Sequence, residues 1–282
     1  MIKLSSLNKT FCFCNLFRCQ YFGSEFLNDS NFSIELNSLD IPKQITISTD
    51  KTCNLRCDSC RKDYYVPTKE EKIMSKTITD KLLLSGWLNK STILMAGQGE
   101  VFLSPNYLKI LKDPSVHGKI IKILSNGVLF SENKLNLLKE KFEEIHAYIS
   151  IDAATKKTYS KLRHGNFDLL LKNLKMLGKK RYEGNKFKCF ELNFVVQKDN
   201  MNEMIDFIKL AKEINADRVH FTKLNNWFTM TDEEYKEKCL IIDNYLNYDL
   251  YKILKNPIFK DKIVDISSFT GYIENSKKHY NS

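Results

Sequence analysis

The sequence predicts an α/β fold in which parallel strands alternate with helices. Six apolar runs of strand length recur along the chain, and several are almost continuous in Ile, Leu, Val and Phe, as expected for strands covered on both faces. The predicted strands are 44–50, 91–97, 119–126, 145–152, 188–196 and 218–222, and the helices between them are 75–88, 105–111, 133–142, 167–177 and 202–214. This alternation favours a doubly wound sheet or a barrel, and six units are fewer than the eight of a closed barrel.

Local patterns along the chain define these elements and the domain boundaries. The third strand contains the run Ile120-Ile121-Lys122-Ile123-Leu124, and the last helix carries an apolar stripe that would pack on the sheet. Asn200 or Asn202 would cap that helix. Beyond Thr222 the alternation stops. We therefore predict a cysteine-bearing N-terminal segment at 1–42, a core at 43–226 and a mainly helical extension at 227–282.

Composition limits the class of protein. The 282 residues include 44 Lys or Arg and 34 Asp or Glu, a net charge of +10, and 43% are hydrophobic, which is enough for a substantial core. No stretch approaches the roughly 20 apolar residues of a membrane span. Ser5 and Ser6 interrupt the apolar pattern of a secretory signal. Lysine is spread along the chain without a basic arm, so the charge does not favour nucleic acid. We expect a cytoplasmic protein.

Six of the eight cysteines fall in two tight clusters. Clustered thiols in a reducing compartment are typical of metal or redox ligands rather than of disulfides. The first cluster is Cys12, Cys14 and Cys19, and the second is Cys53, Cys57 and Cys60, directly after the first predicted strand. Three thiolates in one loop are one short of the four that close a structural zinc site, and they suit an iron–sulfur cubane with one open iron. Zinc with a distant fourth ligand is the alternative.

The spacing Cys-x3-Cys-x2-Cys after the first strand resembles that of the radical S-adenosylmethionine (radical SAM) enzymes. The resemblance implies that the second cysteine cluster holds a 4Fe-4S cluster whose fourth iron is chelated by S-adenosylmethionine. One residue departs from the family pattern, because Ser59 stands where members often have an aromatic residue before the third cysteine. Tyr64 or Tyr65 would then provide a stacking face for the adenine.

Further motifs at the ends of the predicted strands strengthen this resemblance. The run Met95-Ala96-Gly97-Gln98-Gly99-Glu100 looks like the family's Gly-Gly-Glu motif, and Ser125-Asn126-Gly127 looks like its Thr-Asn-Gly element. The resemblance implies that Glu100 accepts the ammonium group of the cofactor. The candidate cofactor-binding residues are Gly97, Gly99, Glu100, Asn126, Ser150, Asp152 and Asn193. Each motif alone is equally a plain turn or strand end, but carboxyl ends of successive strands are where barrel sites collect.

The resemblance also implies a fold and a chemistry. It covers about residues 43–226 and implies a partial (β/α)6 TIM-like barrel, and segments such as 159–163 and 193–196 look like a SPASM-related subgroup. Reductive cleavage of S-adenosylmethionine then gives a 5′-deoxyadenosyl radical that abstracts hydrogen from an unknown substrate, a peptide or a small molecule. Reduced flavodoxin or ferredoxin is the implied electron donor. No catalytic residue is singled out. A non-catalytic zinc or iron–sulfur module is the alternative function.

The first cysteine cluster lies upstream of the predicted core. In the subgroup that the chain resembles, a cysteine-bearing region before the barrel holds an auxiliary cluster. Cys12, Cys14 and Cys19 are too few to close a cubane unless Cys189, Cys239 or another ligand completes it. We therefore predict one cubane per chain, at the second cysteine cluster, with an auxiliary metal site at the first as the alternative.

Overall fold

The computed structural model describes residues 42–61, 63–96, 99–184, 186–227 and 229–280. The strands in these ranges are β1 (Gln44–Ile47), β2 (Thr92–Met95), β3 (Gly118–Ser125), β4 (Phe142–Ser150), β5 (Phe187–Val196), β6 (Arg218–Lys223), β7 (Ile241–Ile242), β8 (Tyr245–Leu246) and β9 (Val264–Asp265). Within the described residues, seven of them form one parallel sheet in the order β1-β2-β3-β4-β5-β6-β9, and β7 pairs with β8 antiparallel.

Helices lie between the strands along the chain, and one more follows the last strand. They are α1 (Lys69–Ser85), α2 (Pro105–Lys112), α3 (Glu132–Lys141), α4 (Lys156–Arg163), α5 (Phe167–Glu183), α6 (Met204–Glu213), α7 (Asp232–Lys238), α8 (Tyr248–Leu254) and α9 (Thr270–Tyr280). Each of the predicted strands and helices of the core is present, and neighbouring strands run parallel. The predicted α/β class is therefore confirmed.

Three helices of the core, α1, α4 and α6, differ from the sequence predictions in their bounds, presence or caps. α1 begins at Lys69, six residues earlier than predicted. Thr68 and Glu71 form a capping box there, with the Thr68 hydroxyl accepting the Glu71 amide at 3.2 Å and the Glu71 carboxylate accepting the Thr68 amide at 2.9 Å. α4 was not predicted at all, although Thr155 caps it. Of the two caps predicted for α6, Asn200 is the N-cap residue of the 3-10 turn Met201–Glu203, which runs directly into α6, and the N-cap residue of α6 itself is Glu203.

The C-terminal extension contains helices, as predicted, and also contributes a strand to the main sheet. β9 pairs with β6 through Val219 with Val264 and His220 with Asp265. A strand of two residues is too short to leave an alternating pattern in the sequence, which explains why the prediction stopped at Thr222. In the part of the chain that is described, no helix has the length and apolar character needed to cross a membrane.

The two faces of the sheet have different chemistry. One face carries core side chains such as Leu192 and Phe221, and Phe194 of β5 packs on Phe207 of α6 with ring centroids 4.8 Å apart. Because side chains alternate along a strand, the residues between these point to the opposite face, which we call the inner face. Ser150, Asn193 and His220 lie on it. The carboxyl ends of the parallel strands lie along one edge, and the loops there carry the candidate site.

Candidate active site

The second cysteine cluster lies in the loop between β1 and α1, and Asp50 fixes the start of that loop. The Asp50 side chain is buried and accepts hydrogen bonds from the Thr52 amide at 2.8 Å and the Ser104 hydroxyl at 2.6 Å. Burial raises the pKa of Asp50, but hydrogen bonds led by those from Ser104 and Thr52 outweigh burial, so the net pKa is lowered. The ionised carboxylate thus ties the cysteine loop to the N-terminus of α2.

Each thiol of the second cluster receives an N–H group from the protein. The sulfur–nitrogen distances are 3.4 Å from Cys53 to the Leu55 amide, 3.5 Å from Cys57 to Arg163 Nη1, and 3.8 Å from Cys60 to Arg61 Nη2. At Cys53 and Cys57 these hydrogen bonds oppose the effect of burial, which disfavours the thiolate that binds metal. All three cysteines line one cavity of about 100 Å³. The structure therefore brings the whole predicted ligand set together.

The donor set in this loop is three cysteine thiols, one fewer than the four ligands of a structural zinc site. Three thiolates suit an iron–sulfur cubane, whose protein ligands are spread over several irons. Burial raises the pKa of Cys53 and of Cys57, and Arg163 opposes this effect at Cys57.

Glu100 lies in the loop after β2, and its carboxylate links that loop to the end of β3. The side chain is 1% exposed and accepts hydrogen bonds from the Asn126 amide at 2.8 Å, the Ser125 hydroxyl at 2.8 Å and the Phe102 amide at 3.2 Å. Burial raises the pKa of Glu100 against these hydrogen bonds. A carboxylate has about four acceptor positions, so Glu100 can take a further donor from the cavity that it lines.

Gly99 and Asn126 line the same cavity and contact the cysteine loop directly. A Cβ atom on Gly99 would lie 2.3 Å from the Asp50 carbonyl oxygen, so only glycine fits there without a shift of the backbone. The Asn126 side-chain amide donates to the Cys53 sulfur at 3.7 Å and to Asn54 Oδ1 at 2.9 Å. Both residues therefore help to set the position of the cysteine loop.

Ser150 lines the cavity, whereas Asp152 and Asn193 are not among its lining residues. Asp152 has a positive φ of 62°, so the alternation expected along β4 does not extend to it. Its carboxylate accepts the Val195 amide at 2.7 Å and pairs with Arg163 Nη2 at 2.7 Å. Burial raises the pKa of Asp152, and Arg163 opposes that effect. The Asp152 carboxylate is thus paired with Arg163 and does not line the cavity. Asn193 lies next to Ser150 in the sheet register but does not line the cavity either.

Arg163 lies at the site, although its sequence context did not single it out as a site residue. It ends α4, and its guanidinium group contacts both Cys57 and Asp152. Burial alone would lower the pKa of Arg163, but Asp152 and Cys57 outweigh burial and raise it. Its Nε atom and the Tyr159 hydroxyl are buried without a hydrogen-bond partner in the described ranges. Arg163 is ion-paired through Nη2 with Asp152 and contacts Cys57 through Nη1, and its Nε–H group is left to donate to a further acceptor. Because Arg163 also lines the cavity of the three cysteines, these residues suit an anionic cluster and its cofactor.

Some predicted residues lie outside the described part of the chain: Gly97, Cys12, Cys14 and Cys19. The two tyrosines considered for adenine stacking do lie near the site. Tyr64 and Tyr65 line a second cavity of about 360 Å³, which shares Cys60 and Arg61 with the first. Both tyrosines thus lie close to Cys60 at the end of the cysteine loop.

Comparison with known proteins identifies the family. The model of the Radical SAM superfamily matches residues 47–211, which include the second cysteine cluster, Glu100 and Asn126. The chain belongs to the radical SAM superfamily. Members of this superfamily are enzymes whose cofactors are a 4Fe-4S cluster and S-adenosylmethionine, and these are the cofactors of the present core.

Curated relatives match parts of this radical SAM chain. The antilisterial bacteriocin subtilosin biosynthesis protein AlbA of Bacillus subtilis is 29% identical over 149 residues, 50% of this chain and 32% of AlbA. The tungsten-containing aldehyde ferredoxin oxidoreductase cofactor-modifying protein of Pyrococcus furiosus is 23% identical over 77% of this chain and 61% of its own length. The AdoMet-dependent heme synthase of Methanosarcina barkeri is 26% identical over 64% of this chain and 50% of its own length. The chain thus spans between about a third and three fifths of these relatives.

Solved structures of radical SAM proteins share the fold. Streptococcus suis SuiB bound to S-adenosylmethionine aligns with a TM-score of 0.58 at 16% identity, over 83% of this chain and 53% of SuiB. The protein anSMEcpe with bound AdoMet aligns with a TM-score of 0.52 at 15% identity, over 78% of this chain and 60% of its own. The predicted partial (β/α)6 barrel with a helical C-terminus is confirmed.

Proposed function

We propose that this chain is a radical SAM enzyme whose 4Fe-4S cluster is held by Cys53, Cys57 and Cys60. When bound, the cluster and S-adenosylmethionine supply a reductive cleavage that yields a 5′-deoxyadenosyl radical, which abstracts hydrogen from a substrate. The observation that carries the proposal is the shared cavity, in which the three thiols face Glu100, Asn126 and Ser150. The protein's part is to hold, orient and shield these groups.

The cavity residues have distinct proposed roles. Glu100 accepts the ammonium group of S-adenosylmethionine with its remaining acceptor position, and Gly97 and Gly99 let the backbone approach the same group. Ser150 and Asn193 contact the hydroxyl or carboxylate groups of the cofactor from the inner face. Asp152 acts through Arg163, because its carboxylate is already paired with that guanidinium group at 2.7 Å. Asn126 orients the cysteine loop through the Cys53 sulfur.

The partners follow from the same chemistry. We propose reduced flavodoxin or ferredoxin as the electron donor, since the reductive cleavage needs one electron from outside the chain. AlbA takes part in the biosynthesis of the bacteriocin subtilosin, and SuiB has been solved with its precursor peptide SuiA. The Pyrococcus furiosus relative is a cofactor-modifying protein, and the Methanosarcina barkeri relative is a heme synthase. The substrate is accordingly a peptide or a small molecule. We also propose that the chain belongs to a SPASM-related subgroup. A cytoplasmic location fits the clustered free thiols, because such thiols suit a reducing compartment.

Anaerobic reconstitution tests the cluster assignment. The wild-type chain should bind about four irons, show the brown colour of sulfur-to-iron charge transfer and form 5′-deoxyadenosine with dithionite. Replacing the three cysteines of the second cluster together by Ala should abolish all three properties. Cys239→Ala is the matched control, because that thiol lies in the C-terminal extension and donates to the Ile241 carbonyl. A colourless wild-type protein with one zinc per chain would instead establish the non-catalytic metal module.

The first cysteine cluster requires its own experiment. We propose that it holds no second cubane, so that the iron content stays near four per chain. Replacing Cys12, Cys14 and Cys19 by Ala should then leave both iron content and Mössbauer spectrum unchanged. About eight irons in the wild type, falling to about four in this variant, would establish an auxiliary cluster.

A further inference from the structure

The loop after β6 and the helix α7 both contact the cysteine loop. The Thr229 hydroxyl donates to the Ser59 carbonyl oxygen at 3.2 Å, and Lys238 Nζ, at the end of α7, lies 3.7 Å from the Asp58 carboxylate. Asp58 and Ser59 are the two residues between the second and third cysteines of this loop. Both contacts come from beyond residue 211, where the match to the superfamily model ends. A part of the chain outside the matched core thus touches the loop that carries the metal ligands.

Local hydrogen bonds hold the backbone at both contacts. Asn226 Oδ1 accepts the amides of Thr229 at 3.2 Å and Met230 at 3.3 Å, and Asn226 Nδ2 donates to the Met230 carbonyl oxygen at 2.9 Å. At the end of α7, the Lys198 amide donates to the Lys238 carbonyl oxygen at 3.0 Å. The Thr229 and Lys238 side chains therefore start from defined backbone positions.

The contact from Thr229 acts on the peptide that carries Cys60. The Ser59 carbonyl and the Cys60 amide belong to one planar peptide unit. The Cys60 amide donates to the Cys57 carbonyl oxygen at 2.9 Å, while the carbonyl end of the same unit accepts the Thr229 hydroxyl. Because both ends of the peptide plane are held, the direction in which Cys60 leaves the turn is fixed.

The contact from Lys238 acts on the charge beside Cys57. The Asp58 side chain is 38% exposed and lies 2.7 Å from His164 Nε2 as well as 3.7 Å from Lys238 Nζ. Lys238 also lies 3.6 Å from the Asp199 carboxylate. A carboxylate next to an iron–sulfur cluster disfavours the addition of an electron, and a nearby ammonium group offsets that effect. Asp58 and Lys238 therefore act with opposite sign on the same loop.

We propose that Thr229 and Lys238 are positioning residues for the 4Fe-4S cluster. Thr229 fixes the peptide that carries Cys60, and Lys238 offsets the charge of Asp58 and so raises the reduction potential of the cluster. This inference rests on the proposed radical SAM function, because it assigns both side chains a role toward that cluster. It extends the cluster site from the matched core into the C-terminal extension.

A redox titration followed by EPR on the reconstituted full chain tests the charge effect. Lys238→Met should lower the midpoint potential of the cluster, and Asp58→Asn should raise it. Each change should be about two- to fivefold in the reduction equilibrium, the size expected for a partly exposed charge, or about 20–40 mV for one electron. Lys236→Met is the matched control, because it removes an exposed lysine from the same helix and should leave the potential unchanged. Loss of packing alone would not move the potential in opposite directions.

Release of iron to a chelator under anaerobic conditions tests the hydrogen bond from Thr229. Thr229→Val keeps the shape of the side chain and removes the hydroxyl, so iron should leave about fivefold faster, as expected for the loss of one hydrogen bond. Thr229→Ser keeps the hydroxyl and should release iron at the wild-type rate.

The outcomes separate this inference from the proposed function. Potentials that do not move, or that move in the same direction in Lys238→Met and Asp58→Asn, would overturn the role of Lys238. Equal iron release from Thr229→Val and the wild type would overturn the role of Thr229. If Lys238→Met does not fold, Lys238→Gln takes its place, because it also removes the charge. A wild-type chain that binds no 4Fe-4S cluster overturns the proposed function, whereas a bound cluster with unmoved potentials and iron release overturns only this inference.

Discussion

The buried ion pair between Asp152 and Arg163 should stabilise the fold around the cysteine loop. Arg163 Nη2 lies 2.7 Å from the Asp152 carboxylate, and their side chains are only 11% and 4% exposed. Removing one partner leaves the other charge buried and uncompensated, a loss of about 3–5 kcal/mol. We therefore expect Asp152→Asn and Arg163→Met each to lower the free energy of unfolding by about that amount. The double variant should lose much less than the sum, because no unpaired charge remains.

The assay is anaerobic urea unfolding of the full chain, analysed as a double-mutant cycle. A coupling free energy of about 2 kcal/mol or more is expected, within the range found for contacting residues. Lys156 and Asp168 provide the matched control, because both side chains of that pair are 67% exposed and such a pair contributes at most about 1 kcal/mol. Additivity of the two buried substitutions within about 0.5 kcal/mol would refute the reasoning.

Three further predictions concern the same site. Glu100→Gln should lower the affinity for S-adenosylmethionine about tenfold to a hundredfold, because a charged acceptor contributes about 1.5–3 kcal/mol to a hydrogen bond. Unchanged affinity by calorimetry would show that Glu100 does not bind the ammonium group. Gly99→Ala should lower the free energy of unfolding by about 1–3 kcal/mol, because the added methyl group overpacks on the Asp50 carbonyl. Gly271→Ala is the control, because its methyl group would meet nothing within 4 Å. Equal denaturation midpoints for the two variants would contradict this prediction. Asp50→Asn should destabilise the protein at pH 7, where the wild-type carboxylate is ionised. Because the folded-state pKa of Asp50 is lowered, its stabilisation is present above the unfolded value near 3.8 and is lost as the pH falls through the folded value, so the two denaturation curves should converge in acid.

The cysteine loop and the strands before and after it could be predicted from sequence because their signals are local. The spacing of Cys53, Cys57 and Cys60 requires no knowledge of distant residues, and a run such as Ile120-Ile121-Lys122-Ile123-Leu124 indicates a buried strand by itself. The position of Glu100 and Asn126 at the carboxyl ends of successive strands then placed them near the same loop. The structure has these residues around one cavity.

What the tertiary structure decided is which charged groups meet. Asp152 and Arg163 lie on β4's end and on α4, and only packing shows that the carboxylate faces the guanidinium rather than the cavity. β9 has two residues and no sequence pattern, yet it delivers Asp265 to His220. Glu191 looks in the sequence like one more polar strand residue. Its burial and its ion pairs with Arg218 and His220 depend on how β5 and β6 lie side by side, because Coulomb energies depend on distances that periodicity does not encode.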